Sequence, residues 1–190
     1  MNVIEEAIRN NCKVLPGEVL KIDHFLNHMI DVSLLSKGCD EFYKAFADKG
    51  VTKILTVESS GIGVACLAAV QFGCPVLYAK KLFGKNSDDE LYSASCYSYT
   101  KGVEYNISVA AKYLTSDDRV LIIDDFLAGG NALKALIALC NKADATVVGC
   151  GTVVEKAYQG GGDSVRAMGI PVVSLAKIAS MSPEEGVKFC

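Results

Sequence analysis

From Val51 onward, short runs rich in β-branched residues alternate with helical stretches. VTKILTVE (51–58), CPVLYAK (74–80), RVLIIDD (119–125), TVVGCGTVVEK (146–156) and IPVVSLAKI (170–178) are predicted strands. The run at 119–125 is almost wholly apolar before its two aspartates, the pattern of a strand buried on both faces. GIGVACLAAVQFG (61–73) predicts a small-residue helix stopping at Gly73, and GNALKALIALCNKA (130–143) a helix opened by glycine. Strands separated by helices of about a dozen residues build βαβ units. The expected class is therefore α/β, with a central, mainly parallel sheet flanked by helices.

Two regions break the alternation. LYSASCYSYTKGVEYNISVAA (91–111) predicts two strands joined by a turn near Lys101 and Gly102. The preceding KKLFGKNSDDE (80–90) is polar, contains Gly84 and reads as a flexible loop leading into that hairpin. The first 50 residues predict a short helix, a β-like VLKI (19–22) and an amphipathic helix around DEFYKAFADKG (40–50). They form an added piece able to fold over the edge of the sheet. With no repeat and no linker, 190 residues are expected to form one domain, 1–190, with hood elements within 1–50 and the loop and hairpin at 80–100.

Composition narrows the classes. Apolar residues make up 51% and charged residues 22%, which excludes a disordered chain. The apolar stretches are too short to span a bilayer, so no membrane partner is expected. A net charge of −3 and a pI near 5.4 argue against holding nucleic acid by its phosphates. MNVIEEAIRNNCK lacks the long apolar region of a secretory signal, so a cytoplasmic location is expected. Eight cysteines without a CxxC pair, and only two histidines, do not make a zinc site. Most of these cysteines lie in apolar runs and read as reduced, buried thiols, with Cys190 the exposed one. His24 and His28 are four apart and, with Asp31, would share a helix face; no third and fourth ligands are evident, and no metal-ligating residues are assigned.

In such sheets, ligands bind at the carboxyl ends of the strands. That rule marks Glu58 to Gly63, Asp124 to Ala132, and Glu155 with Lys156. The strongest of the three is VLIIDDFLAGGNA (120–132), a buried strand ending in Asp124 and Asp125, then a small-residue loop, then a helix. Backbone N–H groups at a helix start receive an anion, and glycine lets a phosphate approach closely. Carboxylates repel a phosphate but accept hydrogen bonds from sugar hydroxyls nearby. Together they describe a ribose phosphate, although the same pattern also fits an acidic strand end followed by a glycine turn. No GxxxxGK[ST] is present, and no GxGxxG stands here.

VLIIDDFLAGG resembles the 5-phosphoribosyl-1-pyrophosphate (PRPP) motif of type I phosphoribosyltransferases. VLKIDHFLNHMID (19–31), TKILTVESSGI (52–62), SASCYSYTK (93–101), VLIIDDFLA (120–128) and VVEKAYQGG (153–161) resemble, in order and spacing, the xanthine-specific members of that family. The resemblance implies the type I phosphoribosyltransferase fold with an N-terminal hood and a flexible loop. It implies a homodimeric, Mg²⁺-dependent enzyme of purine salvage that converts xanthine and PRPP to xanthosine 5′-monophosphate and pyrophosphate. Carried over by residue, it places Leu20, Asn27 and Lys156 at the base, and Asp124 and Asp125 at the ribose as the catalytic pair. Ala128, Gly129, Gly130, Asn131 and Ala132 would hold the 5′-phosphate; Ser59, Ser60 and Gly61, with Lys81, would face the pyrophosphate, and Mg²⁺ would enter with it.

Several residues bear on detail. Relatives usually carry Thr or Asn at the position of Gly129, so weaker phosphate binding is expected. Adenine-specific relatives typically read ESRG where this chain reads ESSG (58–61), which argues against adenine. Asn27 can donate and accept, which suits the 2-oxo edge of xanthine. Lys156 could contact a base oxygen or pair with Glu155 or solvent. Phe126 could lie against the base or pack in the core, and Tyr92, Tyr97, Tyr99 and Tyr105 are expected to pack. No protein nucleophile is required, because displacing pyrophosphate from a ribose carbon passes through an oxocarbenium-like state that needs a sugar clamp, charge stabilisation and exclusion of water. Two alternatives share the scaffold: hypoxanthine or guanine transfer, and a non-catalytic PRPP-sensing regulator. The regulator is disfavoured because enzyme-like segments begin near Val19, leaving too little chain for a winged helix.

Overall fold

The structure is a computed structural model and describes residues 2–81, 90–98 and 102–190. Helix α1 (Val3–Asn11) starts at Asn2, whose side chain accepts from the N–H groups of Ile4 and Glu5 while Glu5 accepts from the Asn2 N–H, a reciprocal cap. The hairpin β1 (Lys13–Leu15) and β2 (Val19–Lys21) leads through a π-helical turn, Asp23–Asn27, into α2 (Val32–Phe46). Asp31 caps α2 by accepting from the Leu34 N–H. Then come β3 (Lys53–Val57), α3 (Gly61–Phe72) and β4 (Val76–Ala79), the antiparallel pair β5 (Leu91–Ser98) and β6 (Val103–Ala110), and β7 (Arg119–Leu127). The chain ends with α4 (Asn131–Lys142), β8 (Thr146–Lys156), α5 (Gly161–Arg166), β9 (Val172–Ser182) and β10 (Gly186–Phe189).

The main sheet has the order β10-β9-β8-β7-β3-β4, parallel except for the antiparallel edge strand β10. Its two faces carry separate cores. Phe42 and Phe46 of α2 and Val64 and Ala68 of α3 pack with Ile54, Leu121 and Ile123 on one face. Leu136 and Leu139 of α4, with Ile107 of β6, pack with Leu55 and Ile122 on the other. Neighbouring residues of β3 and β7 thus enter opposite cores, which is why those strands read as continuous apolar runs.

The structure moves several expected boundaries. Helix α2 begins at Val32, eight residues before the predicted helix around 40–50. Gly38 interrupts its pattern, and it is there for close approach: a Cβ would lie 2.8 Å from Leu175 Cδ1 and 3.2 Å from Ile4 Cγ1. Strand β9 runs to Ser182 rather than 178, because β10 folds back on its far end. Cys66 is exposed, against its expected burial, because it lies on the outward side of α3 beside Val70, which is 81% exposed. Cys39, Cys96, Cys140 and Cys150 are buried, and Cys190 is exposed. Burial, the largest cause, pushes the thiols of Cys39, Cys140 and Cys150 up to about 12. Residues 82–89 of the expected loop, and Tyr99 and Lys101 of the hairpin segment, lie outside the described residues. No described helix is long and apolar enough to cross a membrane.

Candidate active site

The carboxyl ends of β3, β7 and β8 lie side by side on one edge of the sheet, and each opens into one of the segments marked in the sequence. After β3, the cis peptide Glu58–Ser59 and Ser60 lead into α3. Gly61 is a glycine of necessity: a Cβ would meet Thr56 Oγ1 at 2.3 Å and Asp124 Oδ1 at 3.0 Å. The Ser59-Ser60-Gly61 turn is thereby held against Asp124 of β7. Glu58 accepts from the Lys81 N–H at 2.6 Å, and the Lys81 ammonium stands 5.6 Å from the centre of the Tyr105 ring. Lys81, the Ser59-Ser60-Gly61 turn and Asp124 therefore belong to one neighbourhood.

Asp124 is buried and Asp125 half-buried. The Asp125 N–H donates to Asp124 Oδ1 at 3.0 Å, and Asp125 Oδ1 accepts from the Phe126 N–H at 2.9 Å. Burial first, and then the adjacent Asp125 charge, push the Asp124 carboxyl well above the usual range, while the Lys81 charge pulls it down. A carboxyl in this state is stabilised in its ionised form by any positive charge that arrives beside it. No group of three or more His, Cys, Asp or Glu suited to holding a metal occurs among the described residues. Mg²⁺ uses one or two carboxylates together with phosphate oxygens and water, so the pair at the end of β7 fits an ion that arrives with a substrate pyrophosphate.

Beyond β7, Ala128 and Gly129 are half-buried and Gly130, with φ +82°, caps α4 without a side-chain hydrogen bond. The first N–H groups of α4 have no acceptor within the helix. Asn131 donates from its side chain to the Tyr97 carbonyl at 3.0 Å, which ties the loop to β5, and Ala132 packs on the core of that face. Gly161, at the start of α5, lies directly on this loop and donates its N–H to the Ala128 carbonyl at 3.1 Å.

At the end of β8 the expected alternatives for Lys156 resolve differently. It does not pair with Glu155; its ammonium donates to the Glu18 carbonyl at 2.7 Å and stands 5.9 Å from the centre of the Phe126 ring. Burial lowers its pKa. Glu155 is instead buried, and its carboxylate takes both Nη groups of Arg166 at 2.8 Å and the Ser174 hydroxyl. Burial pushes the Glu155 carboxyl up, but Arg166, Ser174 and Lys177 together hold it below its ordinary value. The turn between β1 and β2 thus reaches over β8, and the Gln159 side chain also donates to Glu18 at 3.2 Å.

Leu20, two residues past Glu18, is buried in the core, whereas Asn27 is exposed at the end of the π-helical turn. Among the described residues no hydrogen bond joins Asn27 to Lys156. His24 and His28 do not share a regular α-helical face, since His28 ends the π-helical turn, and Asp31 is occupied in capping α2. Tyr92 and Tyr105 pack against the core as expected, and Tyr97 is more exposed. Glu18, Arg166 and Ser174 escaped sequence reasoning, and no local signal marks them, because the contacts that matter here join residues 11 to 138 positions apart. A separate cavity of about 570 Å³ lies by β4, lined by Lys53, Tyr78 and Tyr113 among others, and it contains none of the residues at these strand ends.

Comparison with known proteins supplies the remaining evidence. A family profile, phosphoribosyl transferase domain, matches residues 30–165. The chain is 51% identical over 187 residues to a xanthine phosphoribosyltransferase of Bifidobacterium longum subsp. infantis, covering 98% of this chain and 97% of the relative. It is 45% identical over 184 residues to one of Finegoldia magna, covering 97% of each. Among solved structures, the adenine phosphoribosyltransferase of Giardia lamblia in complex with 9-deazaadenine superposes with a TM-score of 0.76 at 21% identity, covering 92% of this chain and 97% of that one. That of Rhodothermus marinus gives 0.73 at 22% identity, with 91% and 97% covered. These structural likenesses speak to the fold.

Proposed function

The chain belongs to the phosphoribosyl transferase family, and from that premise we propose that it transfers the phosphoribosyl group of PRPP to xanthine, releasing pyrophosphate and xanthosine 5′-monophosphate. The observation that carries this reading is near-full-length identity of 45–51% to relatives named xanthine phosphoribosyltransferase. The proposed assignment of residues follows the strand ends. Ala128 to Ala132 receive the 5′-phosphate on backbone N–H groups. Asp124 and Asp125 accept from the ribose hydroxyls and face the positive charge that develops on the sugar. Ser59, Ser60, Gly61 and Lys81 donate to the leaving pyrophosphate. Mg²⁺ entering with that pyrophosphate would supply positive charge to the leaving group, with Asp124 and Asp125 near enough to help hold it. Lys156, which stands above Phe126 and under the Glu18 turn, would meet a base oxygen, with Leu20 and Asn27 contributed by the hood.

Electrostatics support this division. An oxocarbenium-like carbon is stabilised by a carboxylate aimed at it in a water-poor site, and the burial that raises the pKa of Asp124 also strengthens that interaction. The Lys156 ammonium already donates to a carbonyl, that of Glu18, so a carbonyl of a base could take the same donor.

The test is nucleotide formation with Mg²⁺, PRPP and xanthine, guanine, hypoxanthine or adenine in parallel. Strong preference for xanthine is expected. Preference for another oxopurine would overturn the base assignment, and PRPP binding without turnover of any base would favour a regulator. For the phosphate loop, Gly130→Ala is expected to weaken ribose 5-phosphate binding. Its Cβ would lie 3.0 Å from the Gly161 carbonyl oxygen, and its φ is one that side chains disfavour. Unchanged affinity would remove the loop from the phosphate site. We also propose a homodimer and a cytoplasmic location, as the family resemblance implies.

A further inference from the structure

The buried ion pair behind the site has no role in the chemistry described above, yet its geometry leads to the phosphate loop. Glu155 lies in β8, 1% exposed, and holds Arg166 in a two-pronged contact, 2.8 Å on each side. Arg166 is the last residue of α5. The backbone of α5 rests on the same carboxylate: a Cβ on Gly162 would lie 2.0 Å from Glu155 Oε1 and 2.6 Å from Arg166 Nη1. The other end of this short helix presses on the loop after β7. A Cβ on Gly161 would lie 2.1 Å from the Ala128 carbonyl oxygen, 2.5 Å from the Gly130 nitrogen and 2.6 Å from the Gly129 carbonyl carbon. Ser164 pins the turn by donating to the Gly161 carbonyl at 2.7 Å.

We propose that Glu155 and Arg166 are positioning residues for the Ala128–Gly130 loop, setting its affinity for a 5′-phosphate through the seating of α5. The proposal rests on the reading of that loop as the 5′-phosphate site. The physical reason is stiffness. A loop that binds an anion by backbone N–H groups works only if those groups converge, and Gly129 supplies no side chain to fix it. The support comes from behind, through a packed backbone contact that leaves no room for a methyl group. A buried carboxylate under the helix holds that contact in register: it takes both Nη groups of Arg166, and without Arg166 it would keep only the Ser174 hydroxyl and a Lys177 ammonium 4.0 Å away.

The test measures two ligands that reach different parts of the site: ribose 5-phosphate, which carries the 5′-phosphate alone, and pyrophosphate. Binding is followed by calorimetry in the whole protein with Glu155→Gln, Gly161→Ala and Gly130→Ala. Glu155→Gln and Gly161→Ala are each expected to weaken ribose 5-phosphate about tenfold, with pyrophosphate within about twofold, and to raise the KM for PRPP but not for xanthine. Equal weakening of ribose 5-phosphate, pyrophosphate and xanthine would overturn the proposal, since it would mean general loosening. Normal ribose 5-phosphate binding in both variants, with Gly130→Ala impaired, would also overturn it while sparing the phosphate loop. If Gly130→Ala binds normally too, the phosphate assignment itself fails. Should Glu155→Gln not fold, Arg166→Lys, which keeps the charge but loses the two-pronged contact, is read in its place by the same two ligands, whereas Gly161→Ala tests only the contact between α5 and the loop.

Discussion

At Asp124 a carboxyl is 4% exposed at the end of an apolar strand, with Asp125 beside it. Its pKa is raised in the folded chain, so its ionisation opposes folding. That cost appears as the pH rises above the ordinary value of 3.8, grows until the folded pKa is passed, and vanishes below 3.8. Asp124→Asn keeps an acceptor for the Asp125 N–H and removes the charge. At pH 7 it is expected to raise the melting temperature by roughly 2–4 °C, the shift of about 1 kcal/mol in a chain of this size, and to lower turnover about 10²-fold. Calorimetry of variant and parent at pH 7 and again below pH 4 checks both the gain and its disappearance; a gain independent of pH would show that ionisation is not its source. Asp124 itself was legible, because paired carboxylates at the end of a buried strand are conspicuous. The partner of Glu155 was not. Adjacent residues in a strand point to opposite faces, so Glu155 and Lys156 separate, one inward to Arg166 and one outward to Glu18.

Among the elements, α2 shows how a glycine reads differently in sequence and in space. Gly38 weakens the helical pattern, and only the nearness of Ile4 and Leu175 explains it. The converse holds for β8, where Gly149 and Gly151 weaken a strand so that α2 can lie on it. A Cβ on Gly149 would stand 2.2 Å from Phe46 Cε1, and one on Gly151 2.8 Å from Phe42 Cδ1. Gly149→Ala is therefore expected to destabilise the protein by about 1–3 kcal/mol through overpacking, seen as a lower urea midpoint with an unchanged slope. A midpoint equal to the parent's would show that Phe46 moves aside freely. The central strands and α3 and α4 were placed within a few residues because their apolar runs end at charged or glycine residues. Strand β10 escaped because it is a short antiparallel edge strand, defined by its partner β9.

In the whole molecule, α3 leaves apolar surface uncovered by the described residues. GIGVACLAAVQF carries no charged residue, and Cys66 and Val70 face outward. A helix apolar on all sides is ordinarily buried, which supports the proposed homodimer. Sedimentation at micromolar concentration is expected to give twice 20.2 kDa, and a species of 20.2 kDa would overturn it. The sequence by itself determined the alternation of strands and helices, the double burial of the central strand, and the carboxylate pair and glycine loop at its end. These are local patterns, because the period of side-chain burial and the freedom of glycine are properties of neighbouring residues. Only the tertiary structure decided that three strand ends share one edge, that the Glu18 turn covers Lys156, and that Arg166 neutralises Glu155 behind the loop after β7. Those contacts join residues far apart in the chain, up to 138 positions in the case of Glu18 and Lys156, and they form only when burial in a common core brings them together.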